Sequence, residues 1–354
     1  MTCKNAYNRI PAFPRRFFAA VLIIALAAML FACKKGGNDA DPTKKPAETA
    51  APESVSASPF ITEEPTPEPT PEPLFRYVTV SSAEADDGLL VLVNYSHEYA
   101  HTDEVGGQVI LLHGNTVEHL LLTRNDHALL PVTVAALNEF AEGFYAASGG
   151  DRLLVTSAYR TVSYQQQLFA DYAATHGEDM ARIYVADPGC SEHHTGYAVD
   201  LSTMSRKGER IALIEHAQFD WVKAHCTDYG FILRYPVGSQ ETTHVAFEPW
   251  HFRYIGVPAA KACTGLGMLY EEFIHHLKTY SADSGALYLS IGEDGEPTLD
   301  VAQFDALPES GYIFYFVAAD PSGETRIPVP AGLSVYTVSG SNDGGFIVMA
   351  ELGK

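Results

Sequence analysis

Two short segments concentrate the residue types that hydrolytic metal chemistry requires. Ser191-Glu192-His193-His194-Thr195-Gly196-Tyr197-Ala198-Val199-Asp200 and Glu248-Pro249-Trp250-His251 offer two well-spaced imidazoles, a carboxylate able to ligate and a second carboxylate close to a ligand. A hydrolytic zinc centre uses three protein ligands and keeps the fourth position for water. His193, Asp200 and His251 supply the three, and Glu248 stands near enough to act as base. Val199 and Leu201 flank Asp200, so strand alternation turns the carboxylate into a cavity while its neighbours enter the core. An Asp in mid-strand requires a cation or a hydrogen-bond partner there. Glu248 and His251 are three apart, which places them on opposite faces of a straight strand, so a bend near Pro249 is needed. Trp250 is expected to pack in the core, with a place in the pocket wall as its second reading.

A rival set exists. His97-Glu98-Tyr99-Ala100-His101 satisfies H-E-x-x-H, which binds zinc only on a helix, where positions i and i+4 share a face. Here it falls between apolar residues 89–93 and 109–112, with Gly106-Gly107 close behind, and this leaves little room for such a helix. Cys190, next to Ser191, is set aside because three ligands already complete the site. His275 and His276 are adjacent on an expected helix and point apart.

S-x-H-x-x-G-x-A-x-D, followed about fifty residues later by E-x-W-H, resembles the zinc carboxypeptidases of the VanY type, which trim D-amino acids from peptidoglycan stem peptides. Ser157-Ala158-Tyr159-Arg160 matches the family's S-x-Y-R, and Tyr164-Gln165 its Y-Q, so the likeness covers roughly residues 88 to 280. It implies that Arg160 stabilises the oxyanion of the scissile carbonyl and that Ser191 and Gln165 hold the substrate's end. His194 lies outside the motif. The implied activity is zinc-dependent D-alanyl-D-alanine carboxypeptidase. Relatives of the same pattern cut L,D bonds in tetrapeptide stems, and the residues do not separate the two. A catalytically inactive peptidoglycan-binding module is the reading from another class. Such a copy is free to lose Glu248 or a ligand, and all four residues are present.

Positioning these groups requires an α+β domain: a small central antiparallel sheet flanked by helices. Strands are expected at 89–93, 153–157, 231–234 and 243–247, and helices around 134–144, from Ser163 (a capping box with Gln166) to about 174, over 209–228, and over 270–278. Beyond about residue 281 the pattern turns to strands separated by Gly, Pro, Asp and Ser, and no histidine follows His276. Residues 75–282 are therefore expected to form the peptidase domain and 283–354 a small all-β appendage.

The N-terminal region speaks of destination. Residues 1–33 carry four basic and no acidic residues, with an apolar run at 17–31. They read as an export signal ending in Leu30-Phe31-Ala32-Cys33, similar to a bacterial lipobox. Cleavage and diacylation at Cys33 would anchor the protein to the outer face of the membrane. Residues 34–74 are rich in Pro, Thr and Glu and read as an extended linker. The formal charge of −21 excludes a basic nucleic-acid footprint and charge-driven binding to anionic lipid. Cys190, Cys226 and Cys263 are an odd number in a disulfide-permissive compartment, which allows one pair plus one free thiol without choosing the pair. The oligomeric state is left open.

Overall fold

The computed structural model describes residues 73–353, which form one compact unit. The signal segment, Cys33 and nearly all of the linker lie outside the described residues. Helices and sheets are mixed as expected for an α+β chain.

A six-stranded sheet carries the chemistry-bearing segments. Its order is Leu120–Leu122, Arg152–Ser157, Ala198–Met204, His251–Tyr254 and Phe231–Leu233, with the short strand Arg210–Ile211 pairing to the end of Ala198–Met204. Every pairing is antiparallel except that of Leu120–Leu122 with Arg152–Ser157. The register sets Asp200 opposite His251 on one side and opposite Ser157 on the other. Helix Pro131–Ser148 covers one face, and its Val134, Leu137, Phe140 and Phe144 share a core with Val155, Val199, Leu201 and Phe252. It stops at Gly149, whose φ of 68° is the left-handed conformation that glycine adopts without a Cβ penalty.

Several local expectations change. Residues 90–93 are buried and Leu89 partly so, but 89–93 are not a strand. Arg253 Nη2 donates to Leu89 O and Val91 O, Leu90 N donates to Ser339 Oγ, and Asn342 Nδ2 donates to Leu92 O. Side chains thus satisfy the polar backbone that a ladder would otherwise serve. Helix Val162–His176 starts from Thr161, whose hydroxyl accepts from Tyr164 N at 3.1 Å, two residues ahead of the expected Ser163 cap. The helix expected over 209–228 is reduced to Phe219–His225. Arg210–Ile211 joins the sheet, and buried His216 accepts from Gln218 N, which fixes the chain just before the helix begins. Residues 243–247 form no strand, because Thr243 closes a short helix and His244 turns left-handed at φ 60°.

The C-terminal region builds a five-stranded antiparallel sheet, ordered Pro297–Ala302, Ala286–Ile291, Gly311–Ala318, Gly345–Leu352 and Tyr336–Gly340. Strand alternation divides its residues between two cores. Leu287, Leu289, Phe314 and Ile347 pack against helices Val257–Gly265 and Tyr270–Leu277. Ile313, Tyr315, Phe346 and Val348 pack against a ribbon of Phe75–Ser81 paired with Glu324–Pro330. The first described strand therefore pairs with the C-terminal strands, not with the sheet that bears the site. Among the described residues, no helix is long and apolar enough to cross a membrane.

Candidate active site

His193 sits in a 3-10 turn, Glu192–Thr195, that ends at Gly196. Gly196 has φ 70°, and a Cβ there would meet Leu130 at 3.0 Å, so the turn needs glycine on two counts. His193 Nδ1 donates to Ala158 O at 2.7 Å, and Arg160 N donates back to His193 O at 3.0 Å. This fixes the tautomer and leaves the Nε2 lone pair facing Asp200 Oδ1 at 3.3 Å, with no hydrogen-bond partner of its own. Burial pushes His193 down to about 4, so the ring is neutral at pH 7.

The bend required near Pro249 is present. His251 N donates to Glu248 O at 3.2 Å across a turn over Pro249 and Trp250, and Leu201 N secures Trp250 O at 2.9 Å. His251 Nδ1 thereby reaches Asp200 Oδ1 at 3.1 Å, with Glu248 Oε2 at 3.7 Å. Burial pushes Asp200 up, but His193 and His251 outweigh it and hold the carboxyl well below the usual range. Ligand atoms of His193, Asp200 and His251 lie within 4.8 Å of one another, the one such cluster found among the described residues. Donors about 2.0–2.1 Å from a tetrahedral ion stand roughly 3.3 Å apart. The 3.3 and 3.1 Å separations and the orphaned buried Nε2 of His193 fit zinc.

Glu248 is pushed up to about 7, chiefly by burial, with Asp200 adding to the shift and His251 opposing it. A carboxyl poised near neutrality is suited to take and return a proton. Arg160 is held by Gln165 Oε1 at 2.9 Å and stands 3.6 Å from Asp200 Oδ2, while its buried Nε has no partner. Gln165 is anchored in turn to Ala186 O at 2.8 Å. His194 clamps this wall: Nδ1 donates to Arg160 O at 2.7 Å and Nε2 accepts from Gly189 N at 3.1 Å. His193, Asp200, Glu248 and His251, with Arg160, Gln165 and Ser191, line a cleft of about 340 Å³. Trp250 also lines it and is 43% exposed, which makes it a wall of the pocket and not a core residue. Its neighbour in the turn, Glu248, faces inward, so the tryptophan is turned outward.

The rival motif is dispersed. His101 precedes the short helix Thr102–Gly106 and bonds Asp86, while His97 lies in a turn with Asn94. Cys226 and Cys263 are both free and buried, each pushed up to about 12 by burial, so no disulfide pairs any two of Cys190, Cys226 and Cys263.

Sequence reasoning passed over the groups behind His251. Its Nε2 faces Glu192 Oε2 at 3.2 Å. Glu192, fully buried, accepts from Arg234 Nε at 2.8 Å and has Arg253 at 3.7 Å. Arg234 completes a fork to both oxygens of Glu271, at 2.8 and 2.6 Å. Burial alone would push Glu192 up, but Arg234 and His251 hold it far below the ordinary range. A carboxylate on the outer nitrogen of a ligating histidine fixes its tautomer and raises its basicity. The available signal was Glu192 itself, an acid inside an otherwise buried motif. Arg234, at the end of an apolar strand, gave none.

Metal-assisted hydrolysis is the chemistry this layout can serve. Residues 127–257 match the sequence model of the VanY family, D-alanyl-D-alanine carboxypeptidase. A Bacillus subtilis relative, YodJ, is 37% identical over 134 residues, 38% of this chain and 49% of its own length. A D-alanyl-D-alanine carboxypeptidase of Enterococcus faecium is 27% identical over 276 residues, 76% of this chain and 77% of that protein. The chain thus spans about half the length of the first relative and about three quarters of the second. Among solved structures, the vancomycin-resistance D,D-dipeptidase VanXYg in complex with a D-Ala-D-Ala phosphinate analogue is similar at a TM-score of 0.64 and 26% identity. That likeness covers 79% of this chain and 100% of the other, well beyond residues 127–257. Over residues 127–257 the chain is similar to the VanY family.

Proposed function

We propose that the protein is a zinc-dependent D-alanyl-D-alanine carboxypeptidase that removes the terminal D-alanine from peptidoglycan stem peptides. The observation that carries this is the convergence of His193, Asp200 and His251 beside a raised Glu248, within the stretch that matches the VanY family. His193, Asp200 and His251 hold the zinc ion, which when bound supplies Lewis acidity and acidifies the attacking water. Glu248 takes the proton of that water and passes it to the leaving amine. Arg160, fixed by Gln165, directs its unpartnered Nε toward the oxyanion of the scissile carbonyl. Ser191 and Gln165 receive the C-terminal carboxylate of the departing residue. Support for an exported, lipid-anchored form comes from the basic and apolar N-terminus ending in Cys33. Cys33→Ser should move the protein from the membrane fraction to the medium or periplasm.

The test is release of D-alanine from a stem pentapeptide by the zinc-loaded protein, with and without a chelator. Glu248→Ala should retain zinc and lose at least about 100-fold in turnover. An active Glu248→Ala enzyme, or cleavage of tetrapeptide but not pentapeptide stems, would overturn the assignment.

A further inference from the structure

A second cavity, of about 300 Å³, adjoins the cleft and shares Asp200 and Trp250 with it. Thr156, Ser202, Arg210 and Ile214 line its remainder. Ser202 follows Asp200 by two on the same strand, so both project from one face, about 6.6–6.8 Å apart along it. Arg210 arrives from the adjoining hairpin arm, where it pairs with Met204. The arm is fixed, because Ser202 Oγ and Thr203 Oγ1 each donate to Ile211 O at 2.9 Å.

Arg160 and Arg210 are the cations lining these two cavities, and only Arg160 is committed to the reacting centre. Arg210 Nε reaches Ser202 Oγ at 3.5 Å, and no ion pair engages its guanidinium among the described residues. An uncommitted guanidinium on a braced arm, in a protein of formal charge −21, is suited to an anionic group brought by the substrate.

Resting on the carboxypeptidase reading above, the side of approach follows. One residue departs, and on that reading Ser191 and Gln165 hold it. Everything upstream of the scissile bond must leave the metal site in another direction, and the cavity beyond Trp250 supplies one. An extended peptide advances about 3.3–3.6 Å per residue, so the second and third residues upstream come within reach of Arg210. In a stem pentapeptide these are the diamino acid and the γ-linked D-glutamate. The first carries a free carboxylate when it is diaminopimelate, and the second always does unless amidated.

We propose that Arg210, with Ser202 and the face of Trp250, forms a subsite for a carboxylate on the upstream part of the stem, and that this subsite distinguishes acid from amidated stems. Arg210 is a specificity residue that touches substrate away from the reacting atoms.

The experiment compares kcat/KM of zinc-loaded wild type, Arg210→Gln and Arg210→Lys on three pentapeptides: both carboxylates free, only the D-glutamate amidated, and only the diaminopimelate amidated. Wild type should favour one acid over its amide by about three- to tenfold, chiefly through KM, and the disfavoured amide identifies which carboxylate binds. Arg210→Gln should bring that ratio close to one, with Arg210→Lys retaining part of it. A wild-type preference that survives in Arg210→Gln, equal losses on acid and amide, or no wild-type preference would each overturn the subsite. A parallel calorimetric titration with the upstream tripeptide alone keeps the two readings apart. If no stem releases D-alanine but tripeptide binding still depends on Arg210, the reaction assignment fails and the subsite stands. If D-alanine is released but Arg210→Gln binds the tripeptide as wild type does, the subsite fails alone.

Discussion

The six-stranded and five-stranded sheets are similar in size, and each is covered by helices on one face, yet they bury different chemistry. Around the first, Glu192, His193, Arg234, His251 and Arg253 are all nearly inaccessible. Around the second, the buried polar residues are hydroxyl-bearing: Thr325, Ser339 and Ser341, with Tyr315 bonded to Pro328 O. A buried ion pair returns little net stability, since desolvation offsets much of its attraction, whereas an apolar core is the ordinary source of stability. The C-terminal sheet and its helices therefore form the ballast against which a costly polar centre is held. Helix Tyr270–Leu277 joins the two: Phe273, Ile274 and Leu277 enter the apolar core, and Glu271 forks onto Arg234.

This contrast can be broken by paired substitutions. Arg234→Ala leaves Glu192 and Glu271 without their cation and should cost about 3–5 kcal/mol in urea unfolding. Phe346→Ala, in the apolar core, should cost a similar 3–5 kcal/mol. The difference is expected in zinc affinity, corrected for the folded fraction: weakened in Arg234→Ala, unchanged in Phe346→Ala. Equal zinc affinities would show that the two regions do not divide labour in this way.

A smaller change sharpens the point. Glu192→Gln keeps the shape but removes the charge facing His251, and should weaken zinc binding about 10- to 100-fold. Competition with a chromophoric chelator measures it.

The smallest effect concerns Glu248. Its carboxyl rises from 4.5 to about 7 in the folded chain, so the native state holds a proton that the unfolded state releases. The contribution of Glu248 to the stability of the zinc-free protein is therefore lost as pH rises from about 4.5 to 7, while buried His193 and His194, held neutral, act in the opposite direction over much of this range. The stability of Glu248→Gln relative to wild type should therefore rise between pH 4.5 and 7, reaching about 1–3 kcal/mol at pH 7. In the zinc-loaded enzyme the ion favours the carboxylate, so the ascending limb of kcat/KM should lie at or below pH 7. A difference between the two proteins that does not change with pH across this range would remove burial as the cause of the shift.

The cluster of His193, Asp200 and His251 was legible because it was set by short-range rules: alternation at Asp200, the required bend at Pro249, and spacing between His193 and Asp200. Helix Pro131–Ser148 followed from its apolar period and its glycine stop. What sequence did not show depended on distant partners. Residues 89–93 have a strand's composition, but Arg253, Ser339 and Asn342 take their backbone bonds. Arg234 looks like an ordinary residue at a strand end until Glu192 and Glu271, far apart in the chain, meet it. Phe75–Ser81 lies beside a linker in sequence and finds its partner strand only near the other end of the chain.

That last pairing has a temporal consequence. Arg76 reaches Leu333 across 257 positions, and the ladder joins Phe75 through Ser81 to Pro330 through Glu324. A chain emerging from the N-terminus cannot close this ribbon until almost all of it has been made, and contacts so far apart in sequence form slowly. The six-stranded sheet is complete by residue 254, so the metal centre can assemble while the closing ribbon is still open. Until then Phe75–Ser81, made early, waits without its partner strand, the kind of surface on which nascent chains associate. Any tension transmitted through the segment before Phe75 would load this ladder in shear before it reached a metal ligand. The ribbon thus serves as the molecule's last latch and its first mechanical bearing.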